Sequence, residues 1–110
     1  MTELQLQGRL DIRSSEGVRS ALHEVISATP AKVVVNFQAV DFIDSAGLSA
    51  LVSGLRVARE RNKDLILIGL SKQTYKVFEL TMLNRIFLIY TDLDELLQQQ
   101  AWKRLCVKWG

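Results

Sequence analysis

Two short apolar runs constrain the fold of this chain more than any other feature. Residues 32–37 read KVVVNF, and residues 65–69 read LILIG. Both runs are too short and too uniformly apolar for a surface helix, so each predicts a strand that is covered on both faces. Strands of this kind are typical of sheets in which helices connect parallel neighbours. The two runs therefore indicate an α/β domain with some parallel pairing.

A strong amphipathic helix is predicted between the two runs, from Ser45 to about Arg61. Its apolar side chains recur every three or four positions, while the charged ones fall on the opposite side. Ser45 is expected at the N-cap, where its oxygen can accept a backbone N–H. The apolar stripe consists of Leu48, Leu51, Val52, Leu55 and Ala58.

Further strands and helices alternate along the rest of the chain. Leucines at positions 4, 6 and 10 predict a half-buried first strand, and residues 86–90 predict a last one. A first helix is expected from the serines at 14 and 15 to Pro30. Ser71 can cap a third helix, and Asp92 can cap a fourth. Within the third helix the spacing predicts one shared face for Tyr75, Phe78 and Met82.

The size and charge of the chain limit its class. Its 110 residues fit a single domain, with a core over about residues 4–97 and a C-terminal helix or tail over 98–110. A net charge of +2 gives no electrostatic signature of nucleic-acid binding. The lone Cys106 suits a reducing compartment, and neither a signal peptide nor a membrane-spanning run is recognisable. We therefore expect a cytoplasmic protein without membrane insertion.

Groups that could perform catalysis are few. The single histidine, His23, falls beside the apolar stripe of the first helix and is expected to face solvent. The six glycines are dispersed, so no phosphate-binding loop is formed, and no cluster of residues has the spacing of a metal site. These features predict a protein that is not an enzyme and needs no cofactor.

The C-terminal stretch from residue 98 to residue 110 mixes tryptophans with basic residues. Trp102 and Trp109 alternate with lysines and an arginine, which is a pattern that can lie on a membrane surface or on a partner. We favour the simpler interpretation, in which Trp102 continues the last helix and packs on the domain.

The turn before the strong helix is the segment for which a purely structural role is the least sufficient explanation. Asp44 and Ser45 follow two apolar residues, and Ala46 and Gly47 come next. Gly47 has no side chain, so it would leave the backbone beside Ser45 open to close approach. The residues themselves are equally consistent with a plain helix cap and with a functional turn.

The sequence DFIDSAGL in residues 41–48, between VVVNF and the helix LSALVSGLRVARER, resembles the phosphorylation-site signature of the STAS family. The segment Gly8–Asp11 is similar to the family's Gly-x-hydrophobic-Asp, and the likeness extends over about residues 4–97. The resemblance implies a single STAS domain with a mixed sheet and helices packed mainly on one side. Three departures are evident. The family usually has an additional strand before this segment, whereas almost nothing precedes Leu4, so that strand is either lost or the start is shortened. Ala46 replaces a frequent Ser or Thr, and Met82 replaces a frequent Gly.

The resemblance also implies a function, that of an anti-sigma-factor antagonist. The unphosphorylated domain would bind a serine protein kinase that acts as an anti-sigma factor, phosphorylation of Ser45 would end the interaction, and a phosphatase would restore it. The partner-binding residues implied are Asp11, Asp44, Ser45, Ala46 and Gly47. A homodimer is compatible with the resemblance, and direct nucleic-acid binding is not expected. The alternative is a STAS subunit that binds the ATPase subunit of a membrane lipid-transport ABC system.

Overall fold

The structure, a computed structural model, describes residues 2–29 and 32–98, which form a four-stranded sheet with helices on both faces. The strands, in the order in which they lie side by side, are β1 (Thr2–Leu10), β2 (Lys32–Ile43), β3 (Asp64–Ile68) and β4 (Leu88–Tyr90). The helices are α1 (Ser15–Ala28), α2 (Ser45–Glu60), α3 (Lys72–Leu80) and α4, described over residues 93–98, with a 3-10 turn at Leu83–Arg85.

Every pairing among these four strands is parallel. A helix connects each strand to the next, because parallel neighbours require a crossover connection. The α/β class is confirmed. The helices pack mainly on one side, as expected, because α1, α2 and α3 cover one face of the sheet and α4 covers the other. The expected mixed sheet is corrected: within residues 2–29 and 32–98 no antiparallel pair occurs, since no two consecutive strands are joined by a hairpin.

The core lies on both faces of β2 and β3. On one face Val33, Val35 and Leu67 are fully buried with side chains of α1, α2 and α3. On the other face Val34 and its neighbours in β3 form a smaller cluster with Leu96 of α4. This confirms the prediction that both runs form strands covered on both sides.

Strand β2 is longer than the sequence pattern predicts. The apolar run ends at Phe37, but the strand continues to Ile43 because β1 pairs with it along its whole length. Two register shifts place additional β2 residues opposite β1, which breaks the apolar alternation beyond Phe37. Residues 38–43, between the apolar run and the predicted turn, are therefore the end of the strand, and they place Ile43 next to Leu10.

The third helix differs in detail from its predicted form. Ser71 caps α3 by accepting the Thr74 amide, as expected. Phe78 is buried, but Tyr75 is 38% exposed and Met82 57% exposed, so the predicted shared face is wrong. The strand β4 is shorter than expected because the chain first makes the 3-10 turn. Phe87, in front of β4, packs edge-on against Phe78.

The start of α4 agrees with the sequence pattern. Asp92 caps α4, since its carboxylate accepts the Glu95 amide at 2.8 Å, as predicted. The predictions for Pro30, Trp102, Cys106 and Trp109 concern residues outside the described part of the chain. Among the described helices, none has the length and apolar character needed to cross a membrane.

Met82 occupies a backbone conformation that favours glycine. Its φ is 62° and its ψ is 13°, in the left-handed region. A side chain with a Cβ is strained there by about 1–2 kcal/mol. This is the position at which Met replaces a frequent Gly in the resemblance, so the turn keeps its geometry at the cost of strain.

We predict that Met82→Gly raises the free energy of unfolding by about 0.5–1 kcal/mol, because relief of strain exceeds the entropy that glycine adds to the unfolded chain. Urea denaturation measures the change. Met82→Ala is the matched control, since it removes the exposed side chain but retains the Cβ. An equal gain in both variants would show that the side chain, rather than the backbone, is responsible.

Candidate functional site

The candidate site lies where β1 and β2 end side by side. Leu10 pairs with Ile43, and the Asp44 amide donates to the Leu10 carbonyl at 3.1 Å. Asp11, which follows β1, and Asp44 and Ser45, which follow β2, therefore leave the sheet at the same edge. Helix α2 begins there without an intervening loop.

Asp44, rather than Ser45, caps α2. Its Oδ1 accepts the amides of Ala46 at 2.9 Å and Gly47 at 3.1 Å. The expectation that Ser45 is the N-cap is wrong, because the extended backbone at Asp44 already directs a carboxylate to the first-turn amides. Ser45 is the first residue inside the helix.

The position of Ser45 leaves its side chain accessible. The residue is exposed, and within the described chain its hydroxyl makes no hydrogen bond. Ala46, beside it, is half-buried. Since the cap belongs to Asp44, the Ser45 hydroxyl is not engaged in holding the helix.

Gly47 is required by the packing of α2 against β1. A Cβ on Gly47 would lie 2.4 Å from the Leu10 carbonyl oxygen and 2.9 Å from Ile43 Cγ1. Contacts this short with backbone cannot be relieved without moving the helix. The close approach predicted for this glycine therefore exists, but the group that approaches is β1 and the residue is buried.

Asp11 organises the turn between β1 and α1. Its Oδ1 accepts the amides of Arg13 at 3.0 Å and Ser14 at 3.4 Å, and its Oδ2 lies 3.6 Å from Arg9 Nε. Desolvation acts to raise the pKa of Asp11, but the two amides and the Arg9 guanidinium outweigh it and hold the pKa below its usual value of 3.8. The side chain is only 22% exposed, so Asp11 is less open than a carboxylate at a free strand end.

Sequence reasoning missed two apolar side chains and an arginine at this edge. Ile12 is 78% exposed and Phe42 is 39% exposed. The Arg9 guanidinium lies 4.2 Å from the centre of the Phe42 ring and also contacts Asp11, so it connects the ends of the two strands. An alternating pattern could have assigned Phe42 to the outer face only if the register shifts in β2 had been known.

His23 belongs to a different part of the molecule. It lies at the contact between α1 and α2, where its Nε2 is 3.0 Å from the Ser53 hydroxyl, and it is half-buried. The expectation of a solvent-facing histidine is corrected, because α2 covers part of that side of α1.

A family model for the STAS domain matches residues 1–96. The chain belongs to the STAS domain family. An anti-sigma-B factor antagonist of Listeria monocytogenes is 31% identical over 85 residues, which cover 76% of this chain and 74% of the relative.

Solved structures of STAS proteins share this fold. An anti-sigma factor antagonist from Mycobacterium paratuberculosis superposes with a TM-score of 0.77 at 23% identity, covering 88% of this chain and 82% of that one. The anti-sigma factor antagonist SpoIIAA in its unphosphorylated form gives a TM-score of 0.66 at 22% identity, with 91% and 88% coverage. The phosphorylated form of SpoIIAA from Bacillus gives 0.62 at 24%, with 94% and 90% coverage.

We predict that Asp44→Ala lowers the free energy of unfolding of this STAS domain by about 0.5–2 kcal/mol, because two first-turn amides lose their acceptor. Ser45→Ala is the matched comparison and should change it by less than about 0.5 kcal/mol, since the hydroxyl lies on the surface. Urea denaturation of both variants tests this. A larger loss of stability in Ser45→Ala than in Asp44→Ala would show that Ser45 is the N-cap.

The lowered pKa of Asp11 predicts a dependence of stability on pH. Because the folded state favours the carboxylate, this contribution is complete above the usual value of 3.8 and is lost as pH falls through the lower folded pKa. Asp11→Asn should therefore be less stable than the wild type at neutral pH, and the difference should shrink as the solution is acidified below pH 3.8. Thermal melts across that range measure it, and a difference that grows in acid would contradict the assignment.

Proposed function

We propose that this chain is an anti-sigma-factor antagonist controlled by phosphorylation of Ser45. The unphosphorylated form binds a serine protein kinase that also acts as an anti-sigma factor. The kinase supplies ATP and the catalytic groups, transfers phosphate to Ser45 and thereby ends the interaction, and a phosphatase reverses this. Support comes from relatives named as such antagonists and from the two forms in which SpoIIAA has been solved.

The exposed Ser45 hydroxyl is the observation on which the proposal depends. A kinase must bring the acceptor oxygen in line with the γ-phosphate of ATP, which requires a hydroxyl that protrudes and is not already bonded. Ser45 meets both conditions among the described contacts. Because Asp44 holds the first-turn amides, a phosphate on Ser45 does not remove the helix cap.

The surface around Ser45 suits a protein partner. Ile12 and Phe42 provide exposed apolar area, while Asp11 and Asp44 provide negative charge at the same edge. Apolar side chains that become buried contribute most to protein–protein affinity, and charges around them determine orientation and specificity. We therefore assign Asp11, Asp44, Ser45, Ala46 and Gly47 to the partner-binding edge, with Gly47 acting through its packing rather than by direct contact.

Phosphorylation would change binding more than folding. A phosphoserine adds roughly −1.5 to −2 charges and three acceptor oxygens. At an interface fitted to a hydroxyl, that group must be desolvated beside two carboxylates. A loss of affinity of about tenfold to a thousandfold requires only about 1.4–4 kcal/mol, which a misplaced dianion readily supplies.

We predict that the cognate serine kinase and ATP place a single phosphate on Ser45, as mapped by peptide mass spectrometry. The phosphorylated chain should bind the kinase about tenfold to a thousandfold more weakly than the unmodified chain. Ser45→Ala should accept no phosphate and should keep its affinity in the presence of ATP. Ser49→Ala is the matched control, because Ser49 is also exposed on α2 but lies one turn further along.

Two results would contradict the proposal. Phosphate at Ser49 or Ser53 in place of Ser45 would show that Ser45 is not the phosphate acceptor. Unchanged kinase affinity after phosphorylation of Ser45 would show that charge at this turn does not control binding. Circular dichroism of the phosphorylated chain is the control, and it should show a folded domain in either case.

A further inference from the structure

The far end of α2 displays arginines beside exposed apolar side chains, and we propose that this surface binds an anionic lipid bilayer. Helix α2 begins at Ser45 and ends about 20 Å away, since an α-helix rises about 1.5 Å per residue. There Arg59 Nη2 donates to the Ile86 carbonyl at 3.3 Å, which joins the end of α2 to the segment of the 3-10 turn. We call the surface formed by residues 56–64 and 80–86 the basic end. This inference does not depend on the proposed function.

The basic end holds more positive charge than the whole chain. Its two segments contain five cations and two anions, a net charge of +3, whereas the chain as a whole carries +2. Among the residues that the structure describes, none of the five cations forms an ion pair with a carboxylate. Cations that repel one another without a bound carboxylate favour a partner with many negative charges. The cations are Arg56, Arg59, Arg61, Lys63 and Arg85, and the anions are Glu60 and Asp64.

Three aliphatic side chains lie beside these charges. Leu80, Met82 and Ile86 are 74%, 57% and 41% exposed, although all three belong to the end of α3 and the turn that follows it. Large apolar side chains that cluster on a surface mark an interaction site more often than single ones do. The φ of Met82 is 62°, a conformation that glycine would adopt without strain. Strain retained at an exposed apolar residue favours a functional reason for the side chain.

A bilayer of acidic phospholipids is complementary to this combination of groups. Guanidinium groups bind phosphate oxygens in pairs, and Arg59 retains N–H donors after its bond to the Ile86 carbonyl. Apolar side chains add to binding when they enter the boundary between headgroups and acyl chains. A protein segment would instead be expected to occupy a groove or to pair with a strand edge. Because Met82 is more than half exposed at a turn, the basic end suits a broad surface better than a narrow segment.

Flotation with lipid vesicles tests the assignment. The full chain at low salt should bind vesicles that contain equal parts of phosphatidylglycerol and phosphatidylcholine, and it should not bind vesicles of phosphatidylcholine alone. Added salt should release the chain, because salt screens the attraction between exposed charges. Arg56→Gln and Arg85→Gln should each lower the partition coefficient by roughly fivefold, because a basic residue near an anionic membrane contributes about that factor to binding.

Substitutions of Met82 separate the apolar contribution from folding. Met82→Gly should lower the partition coefficient by roughly fivefold to tenfold, because it removes apolar area that enters the lipid boundary. The same variant should be at least as stable as the wild type, so the loss cannot be attributed to unfolding. Met82→Leu keeps a large apolar side chain and should bind like the wild type.

Arg13→Gln is the matched control, because it removes one exposed cation beside Asp11, away from the basic end. Its partition coefficient should remain close to that of the wild type. A chain that does not bind the phosphatidylglycerol vesicles at low salt would overturn the proposal, even if the basic end then proved to bind an acidic protein. Binding that the variants of Arg56, Met82 and Arg85 all leave unchanged would also overturn it, since another segment, such as the basic residues 98–110, would then hold the lipid.

Discussion

The contact between the first turn of α2 and the end of β1 is the interaction on which the site depends. Gly47 lets the helix approach until the Leu10 carbonyl is closer than any side chain would permit. The Asp44 amide donates to that same carbonyl, while the Asp44 carboxylate accepts the next two amides of the helix. Asp44 thus makes both the backbone hydrogen bond to β1 and the helix cap, and the Ser45 side chain takes part in neither. The serine is held at a fixed place and left chemically free.

Electrostatic effects at this edge oppose one another within the domain and act together at an interface. The positive end of α2 favours an anion on Ser45 by about 0.3–1 kcal/mol. The carboxylate of the neighbouring Asp44 opposes it, since like charges repel. Because the two effects have opposite signs, a phosphate on Ser45 would change the stability of the domain less than either effect alone. A partner that excludes water removes the screening by solvent. The charge of a phosphate on Ser45 would therefore destabilise the complex more than it destabilises the free domain.

Local pattern predicted the elements whose burial is uniform, and it failed where distant pairing decides the conformation. The runs that became β2 and β3 and the stripe of α2 are set by neighbours in sequence, so their existence and most of their bounds were predictable. The extension of β2 to Ile43 depends on pairing with β1 and on two register shifts, which no local pattern reveals. The same holds for the choice between Asp44 and Ser45 as cap, since both residues are good caps and only the backbone path selects one. The exposure of Phe42 follows from that register as well.

Arg9 links the edge of the sheet to the candidate site. Its guanidinium spans Asp11 and Phe42 at the strand ends. The lowered pKa of Asp11 depends partly on that guanidinium. Loss of the Arg9 contact would leave Asp11 held by its two backbone amides, with a weaker preference for the charged form. One side chain, Arg9, therefore couples the ends of β1 and β2 to the charge of Asp11 beside the turn that contains Ser45.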